Sequence, residues 1–376
     1  MNRFSAFTTT LLLMVVTASC DNGRTAVKED FSTSPNVQLG QNYPMVNSER
    51  RVRVRVFAPK AKSVKLDISA RLYELKKDRE GYWTGESNPQ DEGFHYYQLN
   101  IDGANVPDPS SVYYYGAARW GSGVDVPAPD DSLYEVRNVP QGQTRSTYYW
   151  SEVTQKMRHC FIYTPAGYDL DPGKRYPVLY LLPGGAENEY SWALQGHAAQ
   201  IMDNLLAAGK AKPFIIVMEN GQTEDPWGWE ENFDDMLIND LIPMVDSCFR
   251  TIPDKDHRAF AGLSYGGLQC KWTVFAHPEL FSYVGMFSGG TIKVDEAREN
   301  PAFADGMKLV FISFGSRELT EPIFGIEEGE DPCQETEDLD ASGVNAVIYL
   351  SPNTHHEWHS WRRSLYEFAQ LIFREQ

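Results

Sequence analysis

Five short apolar runs constrain the chain more than any other feature. They are "YPVLYLL" (176–182), "FIIVM" (214–218), "YVGMF" (283–287), "KLVFISF" (308–314) and "NAVIYLS" (345–351). Runs this short and this continuously apolar mark strands buried on both faces. Between them lie helical patterns such as "GHAAQIMDNLLAAGK" and "FDDMLINDLIPMVDSCF". Alternating buried strands and helices predict a mostly parallel central sheet with helices on both faces, the α/β class. The closing stretch "WHSWRRSLYEFAQLIF" places Trp358, Trp361, Leu365, Phe368 and Ile372 on one face of a helix.

The texture is different before about residue 145. "RVRVRVF" (51–57) alternates strictly, as a half-buried strand does. "SVKLDIS", "GYWTGES" and "HYYQLNID" follow, separated by Gly, Asp, Asn and Pro turns, and "DSLYEVRNV" (131–139) is expected to be the last strand of the set. Such spacing predicts an all-β, immunoglobulin-like sandwich of about 100 residues. The expected organisation is a sandwich over 41–142 and an α/β domain over 143–376.

The N-terminus, "MNRFSAFTTTLLLMVVTASCDNG", has a basic residue, a short apolar stretch and small residues before Cys20. This predicts a signal peptide over 1–20, too short to span a membrane, followed by a polar tether over 21–40. "TASC" resembles a bacterial lipobox, so Cys20 is the expected lipidation site. That implies an exported protein, periplasmic or at the cell surface, lipid-anchored in the outer membrane of a Gram-negative bacterium. The net charge of −18 argues against nucleic acid or an anionic membrane surface as partner. The remaining cysteines, Cys160, Cys248, Cys270 and Cys333, could pair in three ways or stay as thiols. They have no spacing suited to zinc, and neither a metal nor an organic cofactor is expected.

The segment "AFAGLSYGGLQC" (259–270) contains the pattern Gly-x-Ser-x-Gly centred on Ser264. A strand before it ("HRAFAG") and a helix after it ("GGLQCKWTVFAHPEL") would hold this serine on a sharp turn as a nucleophile. A serine needs a base, and the base needs an orienting acid. Where such an elbow is found, the chain order is nucleophile, acid, histidine. "NTHHEWHSW" follows the last predicted strand and offers His355, His356 and His359 as bases. "VFISFGSRELTEP" offers Glu318 and Glu321, and Glu318 is nearer the strand end. Two backbone N–H donors are needed for the oxyanion. Tyr265, after the nucleophile, and Gly185, in the turn of "YLLPGGAENEYSW", are the candidates.

From about residue 146 onward the chain resembles the esterase D-like α/β-hydrolases, specifically carbohydrate esterase family 1, the feruloyl and acetylxylan esterases. "MRHCFIYTPAGYD", "KRYPVLYLLPGG…SW", "RAFAGLSYGGLQ", "FSYVGMFSGG" and "HEWHSWRRSLYEFAQLIF" carry the resemblance. "RVRVFAPKAKSVKL", "GYWTGES" and "HYYQLNIDGANVPDPSS" resemble the carbohydrate-binding-module family 48 sandwich that often precedes such esterases. The resemblance implies Ser264 as nucleophile and selects His356 as base. It puts the acid at Glu318, where the family usually has Asp, and Pro183 stands where many relatives have His.

The implied activity is serine carboxylesterase chemistry on feruloyl or acetyl esters of a polysaccharide such as xylan. Trp192, Trp227 and Trp229 are expected to line the acyl or sugar side, because indoles stack on phenolic rings and sugar faces. Competing readings are a catecholate siderophore esterase, a catalytically silent glycan-binding lipoprotein, and an acyltransferase that uses a sugar hydroxyl in place of water. The sandwich is expected mainly to pack against the esterase domain and shape its cleft.

Overall fold

The computed structural model describes residues 27–222, 233–321, 326 and 329–374. Cys20 and the expected signal peptide lie outside the described residues, as do Trp227 and Trp229.

The C-terminal half is built on an eight-stranded sheet. Its strands run in the order Gln143–Ser151, Lys156–Thr164, Ile215–Glu219, Val178–Leu182, Arg258–Leu263, Tyr283–Phe287, Leu309–Gly315 and Ala346–Ser351. The first two pairings are antiparallel and the rest are parallel. This is the α/β-hydrolase arrangement. The continuous apolar runs follow from burial on both faces. Val178, Tyr180 and Leu182 point into one core with Val217, Phe233, Cys270 and Val274. Their neighbours Leu179 and Leu181 point into the other, with Met218, Ile201, Leu205 and Phe368. The closing helix, Trp358–Leu371, covers that second face with Trp358, Trp361, Leu365 and Phe368 all buried.

The N-terminal half is a sandwich of two mainly antiparallel sheets, one of five strands and one of six. In Arg51–Phe57 the valines at 52, 54 and 56 are buried while the arginines between them stay partly exposed, as the alternation predicts. The sandwich begins earlier than expected. Ser32–Thr33 pairs with Met45–Val46, and Val37 bridges to Ser111. The reason is Asn36, whose buried amide donates to the Tyr114 hydroxyl at 2.8 Å and to Asp125 at 2.9 Å. These bonds dock a segment that its polar composition marks as a tether. The expected last strand at 131–139 does not form. Asp131–Leu133 is a single 3₁₀ turn, and the Asp131 carboxylate accepts the N–H of Ala128 at 3.0 Å. Tyr134 is buried under the Arg362 guanidinium, 4.3 Å from the ring centre, and Val136 is exposed. Tyr134 thus serves the junction between the halves, while Val136 is left to solvent.

That junction is dense. Arg362, fully buried on the closing helix, donates to Asp125 of the sandwich at 2.7 Å and to the carbonyl of Gln195 at 2.8 Å. Arg363 grips Asp130 with two bonds of 2.6 and 3.0 Å. Burial pushes the Asp125 carboxyl up, but the Arg362 charge and the bonds from Arg362 and Asn36 together hold it below its ordinary range. The described cysteines, Cys160, Cys248, Cys270 and Cys333, are free thiols.

Candidate active site

Parallel strands of an open α/β sheet deliver functional side chains at their C-terminal ends. Ser264 sits there, between the strand Arg258–Leu263 and the helix Tyr265–Ala276. Its backbone is held at φ 52°, ψ −121°, a conformation that L-residues rarely adopt and that costs on the order of 1–3 kcal/mol. The surroundings enforce it: the Ser264 N–H donates to the Phe287 carbonyl at 2.7 Å. Gly266 is required by close approach, because a Cβ there would lie 2.3 Å from the Pro183 carbonyl oxygen. The elbow is therefore pressed directly against the turn after the strand Val178–Leu182.

His356 comes from the loop after the last strand. Its Nε2 lies 3.0 Å from Ser264 Oγ and its Nδ1 lies 2.8 Å from Glu318 Oε2. An ionised carboxylate only accepts, so Nδ1 carries the proton and Nε2 is left to accept from the serine hydroxyl. Glu318 is fully buried and lies three residues beyond the strand Leu309–Gly315. Its second oxygen accepts from Gly315 N–H at 2.7 Å and from Ser288 Oγ at 2.8 Å. Ser288 in turn accepts from the Trp361 indole at 3.1 Å, and the Trp361 ring meets the His356 imidazole edge-on at 5.1 Å. The extra methylene of Glu over Asp is thus taken up by fixed anchors on one oxygen, leaving the other for the histidine.

The other candidates take different places. His355 Nδ1 accepts the backbone N–H of His356 at 2.9 Å, and its Nε2 lies 3.6 Å from Glu321, which is exposed. His359 is buried, 3.3 Å from Asp130 at the junction with the sandwich. Gly184 and Gly185 lie against the elbow. A Cβ on Gly184 would stand 3.2 Å from that of Ser264, and one on Gly185 would stand 3.8 Å from that of Tyr265. Tyr265 opens its helix, where backbone N–H groups project beyond the helix end. Gly185 and Tyr265, the residues expected to supply the oxyanion donors, thus lie side by side at the elbow.

Trp192 requires a correction. It is 1% exposed, its indole donates to the Leu182 carbonyl at 2.8 Å, and it packs edge-on against Trp358 at 5.2 Å. Its aromatic bulk fills the core behind the turn and does not line a substrate surface. Sequence reasoning missed Ser288, although "GMFSGG" ends a strand at the same sheet edge. It also missed Glu187, three residues after Gly184. Among the described residues no cation pairs with this buried carboxyl, and burial pushes its pKa up to about 7 against the bonds from Tyr96, Gly184 and Trp358. Among the described residues there is no cluster of three or more His, Cys, Asp or Glu that could hold a metal.

Comparison with known proteins gives a consistent picture. The family described as "Putative esterase" matches residues 151–369. A protein of Xylanibacter ruminicola named endo-1,4-beta-xylanase/feruloyl esterase is 43% identical over 371 residues, 95% of this chain. The chain spans 49% of that relative's length. A ferulic acid esterase of Anaeromyces mucronatus, solved with ferulic acid, superposes with a TM-score of 0.56 at 23% identity, over 65% of this chain and 96% of that one. The enterobactin esterase of Shigella flexneri superposes with a TM-score of 0.60 at 14% identity, over 86% and 94%. At these identities the two structures show a shared fold.

Proposed function

This chain belongs to the esterase family, and on that premise we propose that it is a serine carboxylic ester hydrolase that releases feruloyl groups from xylan. The observation that carries the reading is the unbroken relay from Ser264 Oγ through His356 to Glu318, at 3.0 and 2.8 Å, on a strained elbow. Of the two activities in the Xylanibacter ruminicola protein's name, this geometry suits the second. Glycoside hydrolysis needs two carboxyls across a glycosidic bond, whereas a serine–histidine–carboxylate relay performs acyl transfer.

The steps follow from the geometry. His356 Nε2 takes the Ser264 proton as Oγ attacks the ester carbonyl. Glu318 holds the imidazole tautomer and stabilises the imidazolium that forms. The backbone N–H groups of Tyr265 and Gly185 receive the oxyanion. His356 then gives that proton to the departing sugar oxygen, which leaves as the free hydroxyl, and water repeats the sequence to free the acid. Pro183, where related esterases often carry His, affects no step, because the donor is a backbone group.

In the same reading the sandwich is a module like those of carbohydrate-binding family 48, Cys20 anchors an exported protein to the membrane, and Trp227 and Trp229 contact substrate. The N-terminal sequence pattern supports the sandwich and anchor readings, and the tryptophan reading rests on the way indoles stack on phenolic rings and sugar faces. The likeness to enterobactin esterase is one of fold and does not favour a catecholate substrate. The test is a panel of methyl ferulate, feruloylated arabinoxylan, acetylated xylan and a catecholate ester, with product acids separated by chromatography. Ferulate release should dominate. Turnover of the catecholate ester alone would overturn the substrate assignment.

A further inference from the structure

The turn that carries Gly185, one of the two expected oxyanion donors, is held from outside its own domain. Ala118, in the hairpin between the sandwich strands Tyr113–Gly116 and Arg119–Val126, donates its N–H to the Ala186 carbonyl at 2.8 Å. Tyr96, on the sandwich strand Gly93–Ile101, places its hydroxyl 3.0 Å from Glu187 Oε1. The other Glu187 oxygen faces the Gly184 N–H at 3.5 Å, and the Glu187 N–H returns to the Gly184 carbonyl at 3.3 Å. Gly184 is the residue pressed against the Ser264 side chain.

The direction of the Tyr96 proton is set by its neighbours. Gln195 Nε2 donates to the Tyr96 oxygen at 2.7 Å, and the Trp358 indole donates to it at 3.1 Å. Both groups only donate, so they occupy the lone pairs of the hydroxyl, and its proton goes to the nearer acceptor, Glu187 at 3.0 Å, over the Tyr115 carbonyl at 3.3 Å. Trp358 also reaches Glu187 at 3.2 Å and stands two residues after His356. The Tyr96 ring can reach across only because position 116 is glycine: a Cβ there would stand 2.2 Å from Tyr96 Cζ.

We propose that Tyr96 is a positioning residue for ester hydrolysis, by which the sandwich, acting through Glu187, fixes the Gly184–Gly185 turn in register with Ser264. The sandwich is then part of the catalytic machinery in addition to any glycan contact it makes. An oxyanion donor works only when its N–H is aimed where the charge develops, and small misplacements are costly there. This inference rests on the Ser264 esterase reading.

The test is Tyr96→Phe in the full chain, assayed on methyl ferulate, which is too small to need a glycan surface. Active-site titration with an organophosphonate corrects for any unfolded fraction. The expected result is a fall in kcat of about ten-fold with KM within about two-fold. The inhibition constant of an aryl boronic acid, which forms a tetrahedral adduct on the serine, should rise by about the same factor as kcat falls. Wild-type kcat and boronate affinity in Tyr96→Phe would overturn the proposal. So would a loss accounted for wholly by fewer titratable sites. Turnover retained in Ser264→Ala would instead overturn the esterase reading, and this inference with it.

Discussion

Glu318 and His356 meet at 2.8 Å although they are 38 residues apart and lie on loops after different strands. What makes the contact specific is the other end of the carboxylate, bound to Gly315 N–H and Ser288 Oγ. An Asp at this position would be one methylene short and could not satisfy the anchors and the histidine together. Glu318→Asp should lower kcat by about ten-fold. Glu318→Gln, which leaves the histidine without a carboxylate, should lower it by roughly 10³- to 10⁴-fold. Steady-state kinetics on methyl ferulate read both, with KM little changed.

Three histidines lie within five residues of one another, two on the loop and His359 on the closing helix, and the structure separates them. His356→Ala should lower kcat by at least about 1,000-fold, because it removes the base that lies 3.0 Å from Ser264 Oγ. His355→Ala should cost about three- to ten-fold, since the His355 ring accepts the His356 N–H and lies near Glu321, one step removed from the serine. Equal losses in the two variants would assign the base wrongly.

Much of this was legible in the sequence, and the parts that were not share a cause. The continuous apolar strands and the order serine, carboxylate, histidine follow from local patterns and chain order, so residues 259–264 and 352–356 could be placed on one sheet edge before any coordinates. Trp192 was misread because an indole beside a Gly-rich turn has the same composition whether it faces a cleft or the Leu182 carbonyl. The strand expected at 131–139 fails because its partner elements, Arg362 and His359, come more than 200 residues later in the chain. Tyr96 left no signal at all: its meaning lies in a bond to Glu187 across 91 residues.

The junction should be a large contributor to stability. Arg362→Met removes the partner of the buried Asp125 and leaves that carboxylate without its cation. The expected cost is about 3–5 kcal/mol, read as a lowered denaturant midpoint with an unchanged slope. A midpoint within experimental error of wild type would show that the two halves do not depend on this pair.

Glu187 gives stability an unusual pH dependence. Its folded-state pKa is raised to about 7 from an ordinary 4.5 by burial. Between those values the folded state binds more protons than the unfolded one, so this group's contribution falls as pH rises from about 4.5 to about 7. Thermal unfolding across that window should show a downward slope in wild type that is reduced in Glu187→Gln, which cannot ionise. Identical slopes would mean that Glu187 ionises normally in the folded protein.

The most direct test of the central claim is hydrolysis of methyl ferulate by wild type and by Ser264→Ala, each shown to be folded by its unfolding curve. Wild type should release ferulate, with an initial burst of methanol when deacylation is the slower step. Ser264→Ala should lose at least about 10,000-fold in kcat. Turnover by Ser264→Ala within about ten-fold of wild type would contradict a serine nucleophile at the elbow.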